Sequence, residues 1–471
     1  MLDLLLVNMP IVEGNDQVPG IYYIKSAAEA KGFSATAKDL NAWFKMQNID
    51  LQLITNYFMQ HNLVLIDRDC EAHNLAKEYI ETYVNENIET FKQAKYIGVS
   101  LFSVYNIFAA VIFVEIMRSK FPAAQIILGG SGTEDTGPNS QNIGQYFLNN
   151  DMADFVVYGE GEQAIQNILL GKNHIGIPQV NDLNSIPYPD YSDFFKDFPN
   201  TNVNQLTVIG SRGCVRKCTF CNVPKLWPSY KFRSGQNISE ELIHNYEKYG
   251  INNYGFGDSL INGSMKAFRD LCSVMAKYHK DNPNSKMMWS GQFICKSKRQ
   301  MPFEDFTLMK EAGCVSVDIG VESGSEKVRN DIKKGFTEED MHHTLESLLE
   351  NGIQVRLLFL VGYPTETEED FQKTLDMVAR YAKWKNLMYV TVGKTLRMLD
   401  NTELHDDLAH LFYYDQNKYT DWVSTVVPDL NFEKRVERAR AFRKHLLNLG
   451  YNVLKIEDDE NFFIDRLSKR T

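Results

Sequence analysis

The chain is predicted to be of the α/β class, with two successive stretches of strand–helix alternation followed by a helical C-terminal region. Three observations predict this. The first third alternates short apolar runs with amphipathic segments. A proline-punctuated stretch then interrupts the pattern. From Leu206 the alternation restarts. Strands that alternate with helices pair in parallel, because each return crossover consumes a helix.

In the first stretch the expected strands are Leu2–Asn8, Ala35–Asn41, Tyr96–Phe102, Gln125–Gly130 and Asp154–Gly159. The expected helices lie near Gly20–Lys31, Leu75–Phe91, Tyr105–Lys120 and Gly161–Leu170. This order implies a doubly wound, Rossmann-like sheet, whose ligands bind at the carboxyl ends of the strands. Those ends carry Asn8-Met9-Pro10, Ser100-Leu101-Phe102-Ser103 and Gly129-Gly130-Ser131-Gly132. The glycines there either admit a ligand close to the backbone or form ordinary turns. Ile186-Pro187-Tyr188-Pro189-Asp190 and Phe198-Pro199-Asn200 lack periodicity, which places a linker at 171–204. The expected domains are therefore 1–170, 205–398 and a helical region, 399–471.

The second stretch has strand candidates at Leu206–Gly210, Asn253–Gly257, Met287–Phe293, Ser316–Val321, Val355–Gly362 and Leu387–Gly393. In the last region, Glu433–Leu449 has helical spacing and six basic residues: Lys434, Arg435, Arg438, Arg440, Arg443 and Lys444. A solvated helix face is the expected setting for them.

Composition excludes several classes. With 471 residues, 44% hydrophobic and 24% charged, the chain can build more than one core. A net charge of −11 argues against nucleic acid as a partner, since phosphate contacts need a basic surface. The N-terminal run Met1–Asn8 reads as a strand rather than a signal peptide, and no apolar stretch approaches a membrane span. Seven cysteines, an odd number, suggest a reducing cytoplasm rather than a disulfide framework. Cys70, Cys272, Cys295 and Cys314 are scattered and are expected to pack as small hydrophobes.

The other three are clustered. Cys214, Cys218 and Cys221 lie in Gly-Ser-Arg-Gly-Cys-Val-Arg-Lys-Cys-Thr-Phe-Cys, just after an apolar strand. Three thiolates at this spacing can hold a soft metal centre but cannot close a tetrahedral site alone. Structural zinc needs a fourth protein ligand, whereas an iron–sulfur cluster held by three cysteines leaves one iron open. A zinc knuckle with a distant fourth ligand remains the alternative at this point.

The loop, with Phe220 before its last cysteine, resembles the C-x3-C-x2-C motif of the radical S-adenosylmethionine (radical SAM) enzymes. Six βα units likewise resemble that family's partial (β/α)6 barrel, whose site is built from loops at the strands' carboxyl ends. Two further blocks are similar to one large branch of the family. They are Asp318-Ile319-Gly320-Val321-Glu322-Ser323-Gly324-Ser325 and Leu360-Val361-Gly362-Tyr363-Pro364-Thr365-Glu366-Thr367. Asn8-Met9-Pro10, Gly129-Gly130 and Asp154–Glu162 resemble the cobalamin-binding domain that precedes the barrel in its largest subgroup. Many such domains supply a histidine from an Asp-x-His-x-x-Gly loop; here the corresponding Asp39-Leu40-Asn41-Ala42-Trp43 has none.

The resemblance implies that Cys214, Cys218 and Cys221 ligate a [4Fe–4S] cluster whose open iron binds S-adenosylmethionine, cleaved reductively to a 5′-deoxyadenosyl radical. It implies that Phe220, Asp258, Glu322, Ser323, Val361 and Gly362 help bind the cofactor. Asp258, in Gly255-Phe256-Gly257-Asp258-Ser259, stands where many members have Gly-Gly-Glu, and is otherwise a turn residue. Thr365 is expected to cap the following helix, with Glu368 completing a capping box. Trp289, Gln292 and Arg356 are candidate lumen residues. The implied activity is cobalamin-dependent C-methylation of a small or natural-product-like molecule in the cytoplasm, with flavodoxin or ferredoxin as electron donor. A radical oxidoreductase or rearrangement enzyme with a degenerate cobalamin domain is the second option, and a non-catalytic metal-binding scaffold the third. A methylthiotransferase is disfavoured, because those enzymes carry three further cysteines in the N-terminal domain, where this chain has only Cys70. They also end in a small β-barrel, where a helical region is expected here.

Overall fold

The computed structural model describes residues 1–10, 19–47, 51–58, 67–133, 142–176, 180–201, 203–392, 395–415 and 421–453. It divides into two compact units, Met1–Thr207 and Val208–Thr471.

The first unit is built on five strands: β1 (Leu2–Asn8), β2 (Ala35–Asp39), β3 (Ala94–Ser100), β4 (Gln125–Gly129) and β5 (Phe155–Val156). All are parallel, in the order β2-β1-β3-β4-β5. The order reverses direction between β1 and β3, which opens a crevice at their carboxyl ends. Leu4, Leu5 and Val7 have no exposure, as continuous apolar runs in two-faced parallel sheets should. Helix Ile107–Lys120 is apolar almost all round and is buried accordingly.

Three details differ from expectation. The expected single helix Leu75–Phe91 is two, Glu71–Glu86 and Ile88–Gln93, broken at Asn87. Asp39 ends β2 two residues early because its carboxylate caps helix Leu40–Met46, accepting from the Ala42 N–H at 2.9 Å. Most of the expected linker packs into the unit. Helix Ser192–Asp197 lies on β2, with Asp193 accepting from the Ala37 N–H and both Asp190 and Asp193 paired to buried Lys25. Its aromatic residues Tyr191, Phe194 and Phe198 are buried, with Tyr191 and Phe194 against Tyr22. Apolar content, not proline punctuation, decides that placement.

The second unit begins within β6 (Leu206–Val208). The short antiparallel pair β7 (Ser211–Arg212) and β8 (Lys231–Phe232) follows. The strands β9 (Asn253–Phe256), β10 (Met288–Phe293), β11 (Cys314–Glu322), β12 (Gln354–Phe359) and β13 (Met388–Val392) then join β6 in one open sheet, ordered β6-β9-β10-β11-β12-β13. Each strand lies beside its predecessor, the arrangement of a partial barrel, and β9 to β13 are parallel. Gly393, the last residue expected in β13, lies outside the described residues. Val317, Ile319, Val355 and Leu357 are fully buried on one face. On the opposite face one register row runs Gln292–Asp318–Arg356–Tyr389, half-buried or exposed. That face is the barrel interior.

The C-terminal region is not wholly helical. It contains a hairpin, β14 (Phe412–Tyr414) and β15 (Trp422–Ser424), before helix Phe432–Leu449. That helix is not simply a solvated basic face. Arg435 and Arg438 are buried, Arg435 lying 3.6 Å above the Trp422 ring and Arg438 pairing with buried Glu366 at 3.2 Å. Residues 454–471 lie outside the described residues.

Replacing Arg438 with Met should leave the Glu366 carboxylate buried without its cation and cost about 3–5 kcal/mol. Adding Glu366→Gln should recover much of the loss. Urea unfolding followed by circular dichroism measures both.

Candidate active site

The cysteine loop is closed at its base by β7 and β8, so residues 213–230 form a loop with fixed ends. Gly213 needs its φ of +83°: a Cβ there would lie 2.8 Å from the Ser229 carbonyl oxygen. The loop is also held at its centre by Thr219, which has no exposure. The Thr219 N–H donates to the Ile332 carbonyl at 3.0 Å, and its carbonyl accepts from the Leu404 N–H at 2.7 Å. Its hydroxyl lies 2.9 Å from the Tyr363 hydroxyl. One residue thus ties the cysteine loop to the blocks after β11 and β12 and to the C-terminal region. Cys218 and Phe220 pack against the cluster around Tyr363, Ile332, Met398 and Trp422.

All three loop thiols are partly exposed, whereas Cys272, Cys295 and Cys314 are buried. Burial pushes the Cys218 thiol up to about 11, with Cys214 and Cys221 adding to the rise and Lys334 opposing it. Burial also raises Cys221, and Cys214 adds to that. The three therefore lie close enough to act on one another, and metal loading must displace their protons. Among the described residues no three His, Cys, Asp or Glu side chains converge on a single metal ion. The donor set fits a cluster bound through three thiolates.

Glu322 ends β11 in a left-handed backbone (φ +67°), where the register with β12 slips between Gly320 and Glu322. The slip folds its carboxylate back over Gly320, where an added Cβ would lie 2.3 Å from Oε1. The carboxylate then meets buried Lys334 at 3.1 Å. Burial disfavours the Lys334 charge, but Glu322 and Cys218 outweigh it and hold its pKa up. No sequence signal singles out Lys334; its partner is set only by the slipped register.

Other expected residues stand differently. Asp258 is buried, and its carboxylate accepts from the Gly210 N–H and the Ser211 hydroxyl, both at 2.7 Å. It clamps the start of the cysteine loop, and burial lifts its pKa to about 7. Ser323 has no exposure; its hydroxyl lies 3.4 Å from that of Thr374 and accepts from the Ser325 N–H, so it shapes the loop after β11. Val361 is buried. Gly362 (φ +84°) donates its N–H to Glu366 at 2.9 Å, and a Cβ there would strike Arg435. The capping box of helix Glu368–Arg380 is Thr367 with Asp370, not Thr365 with Glu368; Thr365 donates to Asp331 instead. Trp289 faces away from the interior, edge-on to Phe256 and Phe268 and bonded to the Ala312 carbonyl. Gln292 and Arg356 face inward, and Arg356 binds both oxygens of Asp318.

In the first unit, Asn106 ties the crevice together: its side chain accepts from the Phe102 and Ser103 N–H groups and donates to the Met9 carbonyl. Gly130 (φ +103°) lies so close to Leu101 that a Cβ would be 2.3 Å from its carbonyl. Exposed Phe102 and Tyr158 flank this edge, and buried Asn8 Oδ1 has no partner among the described residues. Glycine backbone, exposed aromatic rings and an orphaned acceptor fit a large flat ligand. Cys70 caps helix Glu71–Glu86 through its sulfur, which accounts for it without a metal.

Residues 208–378 match the radical SAM superfamily. The chain is 26% identical over 307 residues to a candidate methylthiotransferase of Methanocaldococcus jannaschii, which covers 59% of this chain and 64% of that protein. It is 25% identical over 227 residues to cytidylyl-2-hydroxyethylphosphonate methyltransferase of Streptomyces wedmorensis, covering 45% of this chain and 40% of that protein. The chain thus spans less than two thirds of these relatives. Among solved structures, the radical S-adenosylmethionine methyltransferase TsrM of Kitasatospora setae, with cobalamin and a [4Fe–4S] cluster bound, aligns over 87% of this chain and 75% of its own. The TM-score is 0.63 at 17% identity. The cobalamin-dependent radical enzyme OxsB, with aqua-cobalamin and S-adenosylmethionine bound, aligns over 95% of this chain and 66% of its own, with a TM-score of 0.64 at 15% identity. These establish a common fold.

Two predictions follow from the loop's anchors. Tyr363→Phe should cost about 1–2 kcal/mol, the hydroxyl's bonds to Thr219 and to the Asp331 carbonyl, read by thermal unfolding. Asp258 has a folded-state pKa above its unfolded value of 3.8, so the native state binds more protons between those values. Stability should therefore fall as pH rises from about 4 to about 7, by at most about 1.4 kcal/mol per pH unit from this group. Asp258→Asn should flatten that slope in urea titrations of the metal-free chain.

Proposed function

We propose that this chain, a radical SAM enzyme with its radical SAM domain at residues 208–378, is a cobalamin-dependent methyltransferase acting on a small molecule. The observation that carries the reading is the pairing of two sites in one chain. One is a three-thiol loop anchored at Thr219, with all three thiols partly exposed. The other is a doubly wound sheet whose crevice is glycine-lined and flanked by exposed aromatic rings. The folds of TsrM and OxsB, each solved with cobalamin, support the second half.

Cys214, Cys218 and Cys221 would hold the cluster, and the β1/β3 crevice the corrinoid. When bound, the cluster supplies the electron that breaks a carbon–sulfur bond of S-adenosylmethionine, and the corrinoid relays the methyl group. Thr219 and Asp258 keep the thiols in place. The Glu322–Lys334 pair, beside Cys218, presents a carboxylate and an ammonium to a zwitterionic ligand such as the methionyl end of S-adenosylmethionine. The inward row Gln292, Asp318, Arg356 and Tyr389 offers hydrogen bonds to a polar substrate. A low-potential protein such as flavodoxin or ferredoxin would deliver the electron. No helix among the described residues is long and apolar enough to cross a membrane, in keeping with a cytoplasmic enzyme. The methylthiotransferase alternative lacks support in the first unit, whose single cysteine is engaged as a helix cap.

Anaerobic purification from cobalamin-supplied cells should give about four irons and about one cobalt per chain, the stoichiometry of one cluster and one corrinoid. Cys218→Ala should abolish the iron and leave the cobalt. Iron without cobalt would leave a radical enzyme with a scaffold N-terminal unit. Zinc with neither would overturn the reading.

A further inference from the structure

The barrel interior carries polar side chains where closed barrels are packed with branched apolar ones. Beside the row Gln292, Asp318, Arg356 and Tyr389 lie, toward the strands' amino ends, Ser290, Ser316 and Gln354. Toward their carboxyl ends lie Gly320, Leu358 and Thr391. Leu358 is the only aliphatic side chain in these three rows. The middle row holds an ion pair. Arg356 Nε donates to Asp318 Oδ1 at 2.9 Å, and Arg356 Nη2 donates to Oδ2. The remaining guanidinium N–H groups, both on Nη1 and the outer one on Nη2, have no acceptor among the described residues. The Arg356 side chain is 50% exposed, so this unused edge faces open lumen rather than packed protein. On either side of the pair, the Gln292 amide and the Tyr389 hydroxyl also lack partners among the described residues.

Stability does not account for the pair, because ion pairs this open to water contribute little. Orientation does. Asp318 fixes the plane of the guanidinium, and the edge left over has the fork geometry that matches a second carboxylate or phosphate bidentately. Its place in the barrel also suits a substrate anchor. Gly320 stands two residues beyond Asp318 on the same face of β11, about 7 Å away at the rise of a strand. Over Gly320 lie Glu322 Oε1 and Lys334 Nζ, which an added Cβ there would approach to 2.3 and 3.1 Å. A small molecule held at Arg356 therefore reaches the Glu322–Lys334 pair without leaving the lumen.

We propose that the unused edge of Arg356 binds an oxyanion of the substrate, which is therefore a small molecule bearing a carboxylate or a phosphate-type acid group. The inference deepens the methyltransferase reading above and rests on it for the word substrate. Iron and cobalt content test that reading separately, since the anion site is measured without turnover and without cobalt.

The test is saturation-transfer NMR on the full chain at constant ionic strength, with acetate, methylphosphonate and acetamide as probes. Each reports through its methyl protons, and acetamide is the neutral counterpart of acetate. At least one of the two anions should bind saturably, and acetamide should not. A preference for acetate assigns a carboxylate, and a preference for methylphosphonate assigns a phosphate-type group. Arg356→Gln should raise the apparent dissociation constant of the preferred anion by about tenfold or more, the loss of at least one charge-assisted hydrogen bond. Arg356→Lys keeps the charge without the fork and should recover only part of the affinity. Circular dichroism checks the fold of both variants, and should Arg356→Gln lose it, Arg356→Lys carries the same test. Anion binding no stronger than that of acetamide would overturn the proposal. So would anion binding unchanged in a folded Arg356→Gln variant, which would place the anion elsewhere on the chain. An Arg356→Lys variant that binds as tightly as the unaltered chain would overturn it as well, since the fork would then not be the cause.

Discussion

The second unit depends on the immobilisation of the cysteine loop. Three thiols on one short loop would otherwise sample many separations, and a cluster ligand set requires one. Thr219 removes that freedom at the centre through three polar contacts, to Ile332, Tyr363 and Leu404. Asp258 removes it at the start through Gly210 and Ser211. Because Thr219 and Asp258 are both buried, each contact is protected from competition by water. The cluster around Tyr363 and Trp422 then packs against Cys218 and Phe220, so the apolar core of the C-terminal region supports the metal loop directly.

The same economy governs the ends of β11 and β12. Glu322 adopts a left-handed backbone at a register slip, a conformation that costs energy for a residue with a side chain. The return is a carboxylate turned over Gly320 toward Lys334 and Cys218, instead of one extending the strand. After β12, Gly362, Glu366, Arg438 and Arg435 form a buried polar assembly that fixes the turn. Burial lowers the Arg435 pKa to about 9, yet its guanidinium donates to the Trp422 carbonyl and lies over the indole ring. The C-terminal helix is thereby a structural part of the barrel's active end.

In the first unit the controlling constraint is topological. Parallel strands ordered β2-β1-β3-β4-β5 leave a gap where successive connections depart to opposite sides. Asn106 bridges that gap from β3 to Met9, while Gly130 permits backbone approach that no side chain would allow. The crevice is thus a product of strand order and is held open by one buried amide.

Strand positions, the parallel class and the three-thiol loop were legible in the sequence. Local hydrophobic periodicity and cysteine spacing carry that information over a few residues, and β1, β10 and β12 lie within a residue or so of their expected starts. The motif blocks pointed to Glu322 and Gly362 through their resemblance to the radical SAM family. What those residues touch was decided only by tertiary structure. Asp258 and Ser323 turn inward to hold backbone, and Trp289 faces the helices rather than the lumen. Arg438 finds Glu366 across seventy-two positions of chain. Periodicity records which face of an element is apolar, but a charged or polar side chain takes its role from partners that only the folded chain brings within a few ångströms.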